Sequence, residues 1–523
     1  MKDDDLGLIN TAFTKQEDYK ELWLEHERYY QSEFSDKALK RLEKNKRSKL
    51  FISTTRNTVN IVRSIFSTSF FSSGCPIELI NLNDIGGETE SDLTKVIKYY
   101  YKKLKPEKEL NKAFLSALIF NMGIVTTYWC KTKKRVITSH IPITDIAFDP
   151  SARNIDDVEY FAYRFNESLS SIKFKFKKKI YKEKKISKVF SKEELENIDS
   201  RRVKVKEIYK REGDGWIYKT YINNHCVRKS FIKSPPFNWG ICLETIAAID
   251  ESKRAAQNLV YGESLVNLIK TLNDEINQKR NQKNDIQEEM INPSALIADD
   301  ASMNVNDLKK GPGKKIRVKG KLSSVQFLPS PSEYSLNQDL QFLDKDLNES
   351  SGVNSIQAGN TSTSDRRSAQ ALAVVNSNST TRISEMISLI NETLFEHWAK
   401  DFVRLILLNA EDKIINKITN KEYPFGKKGK RDSFEYEMEI NFGNSIDKEK
   451  RMSDLVNILL PVLQNPNINP VLIERILKEV LSGYFGDNAM LEEIFIKPQE
   501  EGEAEKGDAR EEEIARELQM MTK

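Results

Sequence analysis

The stretch Tyr261–Asp285, YGESLVNLIKTLNDEINQKRNQKND, constrains the fold more than any other part of the chain. Its apolar residues recur at three- and four-residue steps up to Ile276, which predicts an amphipathic helix. Beyond Ile276 the stretch is almost entirely amide and charged, yet it contains no proline. With its flanks it predicts one helix over Asp250–Met290, about forty residues and roughly 60 Å long. Such a helix must either cross an interface or stand in solvent.

A second long helix is predicted over Arg366–Ala410, which contains neither glycine nor proline. It follows Ser350–Asp365, a stretch rich in Gly, Ser, Thr and Asn that predicts a flexible loop. A coiled coil would explain long helices, but strict heptads do not persist along Asp250–Met290. We therefore favour a closed ring, in which neighbouring copies bury the narrow apolar stripes.

The N-terminal half combines helical and strand patterns. Helical spacing covers Lys15–Phe71 and Asp92–Met122. Ser234–Gly240, SPPFNWG, predicts a boundary without regular structure. The segments with strand patterns are Gly123–Pro150, Tyr160–Phe165, Ile172–Ile180, Val203–Tyr209 and the two runs on either side of a hairpin turn at Gly213–Gly215.

The C-terminal half repeats this mixture around the two long helices. The elements predicted there are strand-like runs at Lys315–Lys319 and Val325–Leu328, a helix at Ser332–Asn348, a strand within Phe434–Gly443 and a helical end at Lys448–Phe495.

No pattern in the sequence predicts an enzyme. GPGKK at Gly311 and GKKGK at Gly426 lack the spacing and the terminal Ser or Thr of a phosphate-binding loop. The histidines are isolated and the cysteines form no C-x-x-C pair, so no metal site is predicted from them. For Asp145 and Asp149 we favour the capping of turns over metal binding. No apolar run predicts a transmembrane helix or a secretory signal.

Charge is unevenly distributed, although the net charge is only +4. Lys173–Lys188 holds nine lysines and one glutamate. Their alternation with Phe174 and Phe176 predicts an edge strand with a solvated face; contact with nucleic acid or an acidic partner is the alternative. The acidic segment Glu500–Glu517 is either a solubilising tail or a binding segment for a basic partner.

The order of these elements resembles the stem–clip–stem–tunnel arrangement of tailed-bacteriophage portal proteins, and is closest to those of short-tailed phages. The resemblance rests on these stretches of the sequence: RNTVNIVRSIFSTSFF (Arg56–Phe71), MGIVTTYWC (Met122–Cys130), IPITDIAFDPSARNIDDVEYFAYRF (Ile141–Phe165), YGESLVNLIKTLNDEINQKRN (Tyr261–Asn281) and SSGVNSIQAGNTSTSDRRSAQAL (Ser350–Leu372).

The resemblance implies an α+β, mostly helical fold, that of a portal-like ring subunit with wing, stem, clip and crown regions. In this arrangement the polar half of the first stem helix is expected to lie against neighbouring copies and water. The implied regions are a wing (1–249), a first stem helix (250–291), a clip (292–331), a second stem helix (332–349), a tunnel loop (350–365), a tunnel helix (366–412), wing return strands (413–447), a helical crown (448–499) and an acidic, disordered tail (500–523).

The resemblance also implies a function: a homo-oligomeric, dodecameric ring at one capsid vertex of the virion, assembled in the host cytoplasm. Such a ring nucleates assembly with the major capsid and scaffolding proteins, docks the large terminase, and conducts double-stranded DNA in packaging and ejection. It then holds the head-completion or tail adaptor ring. It needs no cofactor and no membrane. The alternatives are a helical scaffold or capsid-associated structural protein without a channel, and an enzyme with an unrecognised site.

The expected contact residues lie in the loop and the clip. A loop that is uncharged up to Asp365 suits weak sliding contacts, because each neutralised phosphate adds salt-dependent affinity. Arg366 and Arg367 either brace the DNA or pair with acidic residues of a neighbouring copy. The clip lysines contact terminase or adaptor, or form a solvated turn. The expected DNA-channel residues are Asn354, Gln357, Asn360, Thr361, Ser364, Arg366 and Arg367, and the expected clip contacts are Lys309, Lys310, Lys314 and Lys315.

Overall fold

The computed structural model describes residues 4–72, 74–81, 88–130, 133–153, 157–191, 195, 202–244, 260–291, 295–297, 325–327, 334–353, 382–419 and 436–440. The chain divides into two units. One comprises Met1–Phe66 and Leu79–Met438, and the other comprises Ser67–Glu78 and Glu439–Lys523. Nearly all of the described residues belong to the first unit.

The described residues are a mixture of helices and antiparallel strands, which confirms the predicted α+β class. Among them, no helix is long and apolar enough to span a membrane. The helices are α1 (Asp4–Gln31), α2 (Asp36–Lys44), α3 (Thr54–Phe71), α4 (Glu88–Leu104), α5 (Glu107–Phe120), α6 (Leu169–Lys177), α7 (Ile186–Val189), α8 (Leu265–Ile291), α9 (Tyr334–Ser351), α10 (Glu396–Asn409) and α11 (Asp412–Thr419). The strands are β1 (Ile77–Asn81), β2 (Met122–Cys130), β3 (Arg135–His140), β4 (Ile146–Phe148), β5 (Tyr160–Ser168), β6 (Arg202–Glu212), β7 (Gly215–Ile222), β8 (His225–Ile232), β9 (Phe237–Ile241), β10 (Ala295–Ile297), β11 (Val325–Phe327) and β12 (Tyr436–Ile440).

The predicted helical region Asp92–Met122 is two helices rather than one. The break falls at Lys105, which adopts φ +48°, and at Pro106, which precedes the first residue of α5. Proline disfavours the α conformation in the residue before it and lacks an N–H donor, so α4 ends here. Helix α5 then ends at Asn121, in the left-handed conformation with φ +62°, and β2 follows directly.

Two antiparallel sheets form the centre of the unit. One has the strand order β4-β5-β6-β7-β8, and the other has the order β3-β2-β9. The hairpin predicted at Gly213–Gly215 is confirmed, because β6 ends at Glu212 and β7 begins at Gly215 in direct register with it. Gly213 adopts φ +55°, a conformation that costs a glycine little.

The prediction that SPPFNWG lacks regular structure is wrong for its second half. Phe237–Ile241 is strand β9 and pairs with β2. The two prolines lie just before this strand, where they need donate no ladder bond. Pro236 still contributes its carbonyl oxygen, which accepts from the Thr127 N–H at 2.9 Å.

The prediction of a strand over Ile172–Ile180 is also wrong. Leu169–Lys177 is helix α6, and the hydroxyl of its N-cap residue Ser168 accepts from the Ser171 N–H. Leu169 and Ile172, one helical turn apart, are buried and face the sheet. The Lys–Phe alternation is compatible with a strand, but the capping serine and this helical apolar face decide the outcome.

Aromatic residues from both sheets and from α1 form the main core. The rings of Phe161 and Tyr209 stack with centroids 4.8 Å apart, and Phe161 also meets Trp239 edge-on at 5.1 Å. Trp23 of α1 meets Tyr261 at 5.2 Å, which places the start of the long helix against this core. Burying each such ring stabilises the fold by about 1.5–3 kcal/mol.

The first long helix begins later than predicted. Val260 and Tyr261 form a turn, Gly262 follows it with φ +60°, and the Ser264 hydroxyl accepts from the Asn267 N–H at 3.2 Å as an N-cap does. Helix α8 therefore starts at Leu265 and not at Asp250.

The second long helix is confirmed over 382–409, with a π-helical turn at Asn391–Phe395. The side chain of Thr393 in that turn accepts from the Ile241 N–H at 3.2 Å, which attaches the turn to β9. Buried Trp398, farther along, donates to the Thr138 hydroxyl at 3.1 Å.

The remaining predictions in the C-terminal half are confirmed in part. The helix expected at Ser332–Asn348 is α9, and the strands expected at Val325–Leu328 and within Phe434–Gly443 are β11 and β12. The expected strand Lys315–Lys319, the helical end Lys448–Phe495 and the acidic tail lie outside the described residues.

Candidate functional site

The predicted contact residues of the loop and the clip lie outside the part of the chain that the structure describes. This holds for Asn354, Gln357, Asn360, Thr361, Ser364, Arg366 and Arg367, and for Lys309, Lys310, Lys314 and Lys315. They stay predictions. What the structure does describe is the pair of helices between which the clip was predicted, together with the segments that hold this pair.

Asp145 and Asp149 were expected to cap turns rather than to bind a metal ion. Asp149 accepts from the N–H and the hydroxyl of Ser151 at 2.9 and 2.6 Å, so it caps a turn as expected. Burial raises the pKa of Asp145 above its ordinary value. Within the described residues, no group of three or more His, Cys, Asp or Glu side chains is arranged to hold a metal ion.

Helices α8 and α9 pack side by side in opposite directions. Ile269 and Ile276 of α8 share one buried cluster with Leu343 and Leu347 of α9. At the far end, Lys279 pairs with Asp339 at 2.8 Å. Strands β10 and β11, which follow α8 and precede α9, form an antiparallel ribbon. The arrangement is a helical hairpin whose tip carries a small two-stranded element.

One face of α8 carries a polar ladder, which we define as Asn273, Asn277, Asn281 and Asp285. These residues recur at every fourth position and so lie above one another on the helix. Their side-chain oxygens accept hydrogen bonds from backbone N–H groups of residues 48–55. The bonds are Ser48 N–H to Asp285 at 2.8 Å, Leu50 N–H to Asn281 at 2.8 Å, Ile52 N–H to Asn277 at 2.7 Å and Thr55 N–H to Asn273 at 3.3 Å.

The spacing of the ladder explains how a helix can bind an extended segment. Four residues of an α-helix rise about 6 Å, and two residues of an extended chain span about 6.6 Å. Asp285, Asn281 and Asn277 therefore meet every second N–H of the α2–α3 linker (residues 45–53), as a neighbouring strand would. The fourth ladder residue, Asn273, instead meets the N–H of Thr55 in the first turn of α3. The linker has no helix or strand of its own beyond the turn at 45–46, and these side chains satisfy donors that a partly buried backbone cannot leave unpaired.

Asn281 makes the most complete contact in the ladder. Its oxygen accepts from the Leu50 N–H, and its amide nitrogen donates to the Leu50 carbonyl at 2.8 Å and to the Asn277 carbonyl at 2.8 Å. At the other end of the ladder, Asn273 also accepts from the hydroxyl of Thr54, so it caps the start of α3. The three asparagines are at most 6% exposed.

Helix α1 attaches α8 on another side. The Tyr29 hydroxyl donates to Asp274 at 2.6 Å, and Lys270 pairs with Glu25 at 2.8 Å. Buried His26 lies 3.1 Å from the Ser264 hydroxyl. Burial, reinforced by the nearby Lys270 charge, lowers the pKa of His26 to about 4. His26 is therefore neutral at physiological pH.

For the face that carries Asn277 and Asn281, these contacts correct the expectation that the polar half of the long helix faces neighbouring copies and water, whereas Gln278 and Gln282 on its other side are exposed. Its asparagines are buried inside the same chain, where they bind the linker. A signal for this was present in the sequence, because asparagine is a poor helix former and three of them recur at a spacing of four. The partner segment, more than 200 residues away in the chain, carries no matching signal.

Other faces of the helix pair remain exposed. Phe342 of α9 is 66% exposed, and Leu268, Met290 and Ile291 of α8 are between 42% and 61% exposed. Apolar side chains of this size on two packed helices leave surface that another protein chain can cover.

A family model described as the phage SU10 portal protein matches residues 255–523, just over half of the chain. No curated protein matches the chain. The matched region contains the helix pair, its two-stranded tip and the second long helix.

Proposed function

The chain belongs to the phage SU10 portal protein family, and from this premise we propose that it forms a dodecameric ring that conducts double-stranded DNA at one vertex of the capsid. The DNA passes inward during packaging and outward during ejection. The ring docks the large terminase and later the head-completion or tail adaptor. A portal protein is a structural protein of the virion, and we assign the chain no catalytic role.

The observation that supports a ring is the exposed apolar surface on the helix pair. In the proposed ring, α8 is the first stem helix, α9 is the second, and the β10–β11 ribbon belongs to the clip. Neighbouring copies cover Phe342 and the exposed residues of α8, since a ring of identical chains repeats one heterologous interface until it closes. The family match includes all of these elements.

The polar ladder has a mechanical role in this proposal. It joins the first stem helix to the linker between α2 and α3, while Tyr29 and Glu25 join the same helix to α1. Motion of the stem during DNA translocation therefore moves the N-terminal helices with it. Helix α1, the α2–α3 linker and the first stem helix then act as one body.

The channel itself is assigned to the loop before the second long helix. Residues 350–364 contain no charged side chain. They therefore make no strong contact with DNA phosphates. We assign Arg366 and Arg367 to the start of the proposed tunnel helix, where they brace the DNA or pair with acidic residues of a neighbouring copy. The clip lysines, among them Lys309 and Lys314, meet terminase or adaptor.

Two variants test whether the helix pair forms the ring interface. Phe342→Asp places a charge on the exposed face of α9, and Phe231→Asp makes the same change at a phenylalanine of β8 that is 62% exposed. We expect Phe342→Asp to shift the purified protein from rings to smaller species in sedimentation analysis, and Phe231→Asp to leave rings intact. Intact rings in the Phe342→Asp protein would show that the helix pair does not form the ring interface. Rods or filaments of wild-type protein would favour a scaffold without a channel.

A further inference from the structure

The lysine-rich insert between β5 and β6 is a built element of the fold. Its helices α6 and α7 cover a hydrophobic cluster that includes Leu169, Tyr181 and Val189 from the insert and Val205 and Val227 from the sheet. The N–H groups of residues 182 and 183 both donate to the Val227 carbonyl, at 3.0 and 3.2 Å. The insert is therefore held in place on β8.

The lysines of the insert fall into two groups. The two that point inward have partners: Lys175 pairs with Glu167 at 2.7 Å, and Lys173 donates to the Leu195 carbonyl at 2.9 Å. The others are exposed, and within the described part of the chain none of them has an acidic partner within 4.0 Å. This outer group, which we call the lysine surface, consists of Lys177, Lys178, Lys179, Lys182, Lys184, Lys185 and Lys188.

We propose that the lysine surface binds duplex DNA through its phosphates, at a place outside the channel. The choice of duplex DNA as the polyanion rests on the proposed function, which puts this chain beside packaged DNA. Seven like charges on a short segment repel one another and are stabilised by a polyanion. Lysine ammonium groups are point charges on flexible stems, which suit contacts that do not depend on base sequence.

The structure disfavours a membrane as the partner. The apolar face of α6 is turned into the protein, because Leu169 and Ile172 are buried under the insert. Of the large apolar side chains of the insert, Phe174 and Ile180 remain exposed, at 56% and 39%. Membrane-surface helices instead present a broad apolar face to the lipid.

The test compares two variants of the full-length protein that lose four positive charges each. One replaces Lys177, Lys178, Lys182 and Lys185 of the lysine surface with glutamine. The control replaces the exposed lysines Lys37, Lys40, Lys44 and Lys46, in and after α2, with glutamine. Binding of a short fluorescent DNA duplex is measured by anisotropy at several salt concentrations, and ring formation is checked by electron microscopy.

We expect the lysine-surface variant to bind the duplex at least about ten-fold more weakly at low salt, and its salt slope to fall by up to about 3.6. The control should keep most of the wild-type slope. Equal losses of duplex affinity in both variants would show an effect of net charge alone and overturn the proposal. Binding of polyglutamate by the wild-type protein as strong as its binding of the duplex would also overturn it. Rings that do not bind the duplex would overturn this inference and leave the proposed function standing. If a protein that forms no ring binds the duplex through these lysines, this inference stands and the proposed function is overturned.

Discussion

Replacing Asn281 with leucine should release the α2–α3 linker from α8. Leucine is close to asparagine in size and is a better helix former, so the helix itself is kept. The change removes both hydrogen bonds to the Leu50 backbone. Each is worth about 0.5–1.5 kcal/mol, so local opening of the linker becomes easier by about 1–3 kcal/mol, or roughly five- to 150-fold.

Hydrogen exchange measures this opening directly, whereas global unfolding of a chain with two units has no single free energy. In the wild-type protein we expect the amides of Leu50 and Ile52 to be protected although they lie outside any helix or strand. In Asn281→Leu we expect their protection to fall by the factor above, while the core amides of β6 stay unchanged.

The matched control is Gln282→Leu, which removes an exposed amide from the next position of α8. It should leave the linker amides protected. Asn281→Asp keeps an oxygen acceptor for the Leu50 N–H but loses the donor to its carbonyl, and should also reduce protection. If the linker amides exchange at the wild-type rate in Asn281→Leu, or if Gln282→Leu releases them equally, the polar ladder does not hold the linker.

Three further predictions follow from the packing, the titration and the proposed channel. A Cβ at Gly123 would overlap the carbonyl oxygen of Ala113, so Gly123→Ala should cost about 1–3 kcal/mol and lower the Tm; an unchanged Tm would mean that β2 and α5 separate freely. The pKa of His26 is lowered from 6.5 to about 4, so the unfolded chain binds that proton more tightly and stability falls as pH drops through this window. His26→Gln should reduce this fall of Tm with decreasing pH. If Tm depends on pH in the variant as it does in the wild type, other titrating groups cause the fall. The double variant Arg366→Glu with Arg367→Glu should still form rings but package or retain less DNA, and full-length packaging would refute a DNA-bracing role.

The sequence predicted best those elements that local chemistry decides. The hairpin at Gly213 follows from its turn residues, and the apolar stripe of α8 follows from helical spacing. Strand β9 was missed because its pairing with β2, not its own residues, makes it a strand. Helix α6 was predicted to be a strand from the alternation of lysine with Phe174 and Phe176. Over so few residues, this alternation fits both the period of a strand and the period of a helix.

The polar ladder was missed for a related reason. Its helical half could be recognised from the spacing of Asn273, Asn277 and Asn281. The linker, however, is bound through its backbone N–H groups, which are present whatever side chains the linker carries. Contacts between an amide side chain and a backbone N–H leave no trace in the sequence of the donor. Regions of the proposed ring subunit were assigned through family resemblance, and the wing, clip and crown boundaries remain predictions.

Electron microscopy of the purified full-length protein, with its mass measured in solution, shows whether the chain forms the proposed ring. We expect closed rings with an open central hole wide enough for duplex DNA, and α8 and α9 of adjacent copies facing each other around it. Filaments, compact particles without a hole, or a protein that stays monomeric at its highest soluble concentration would contradict this proposal.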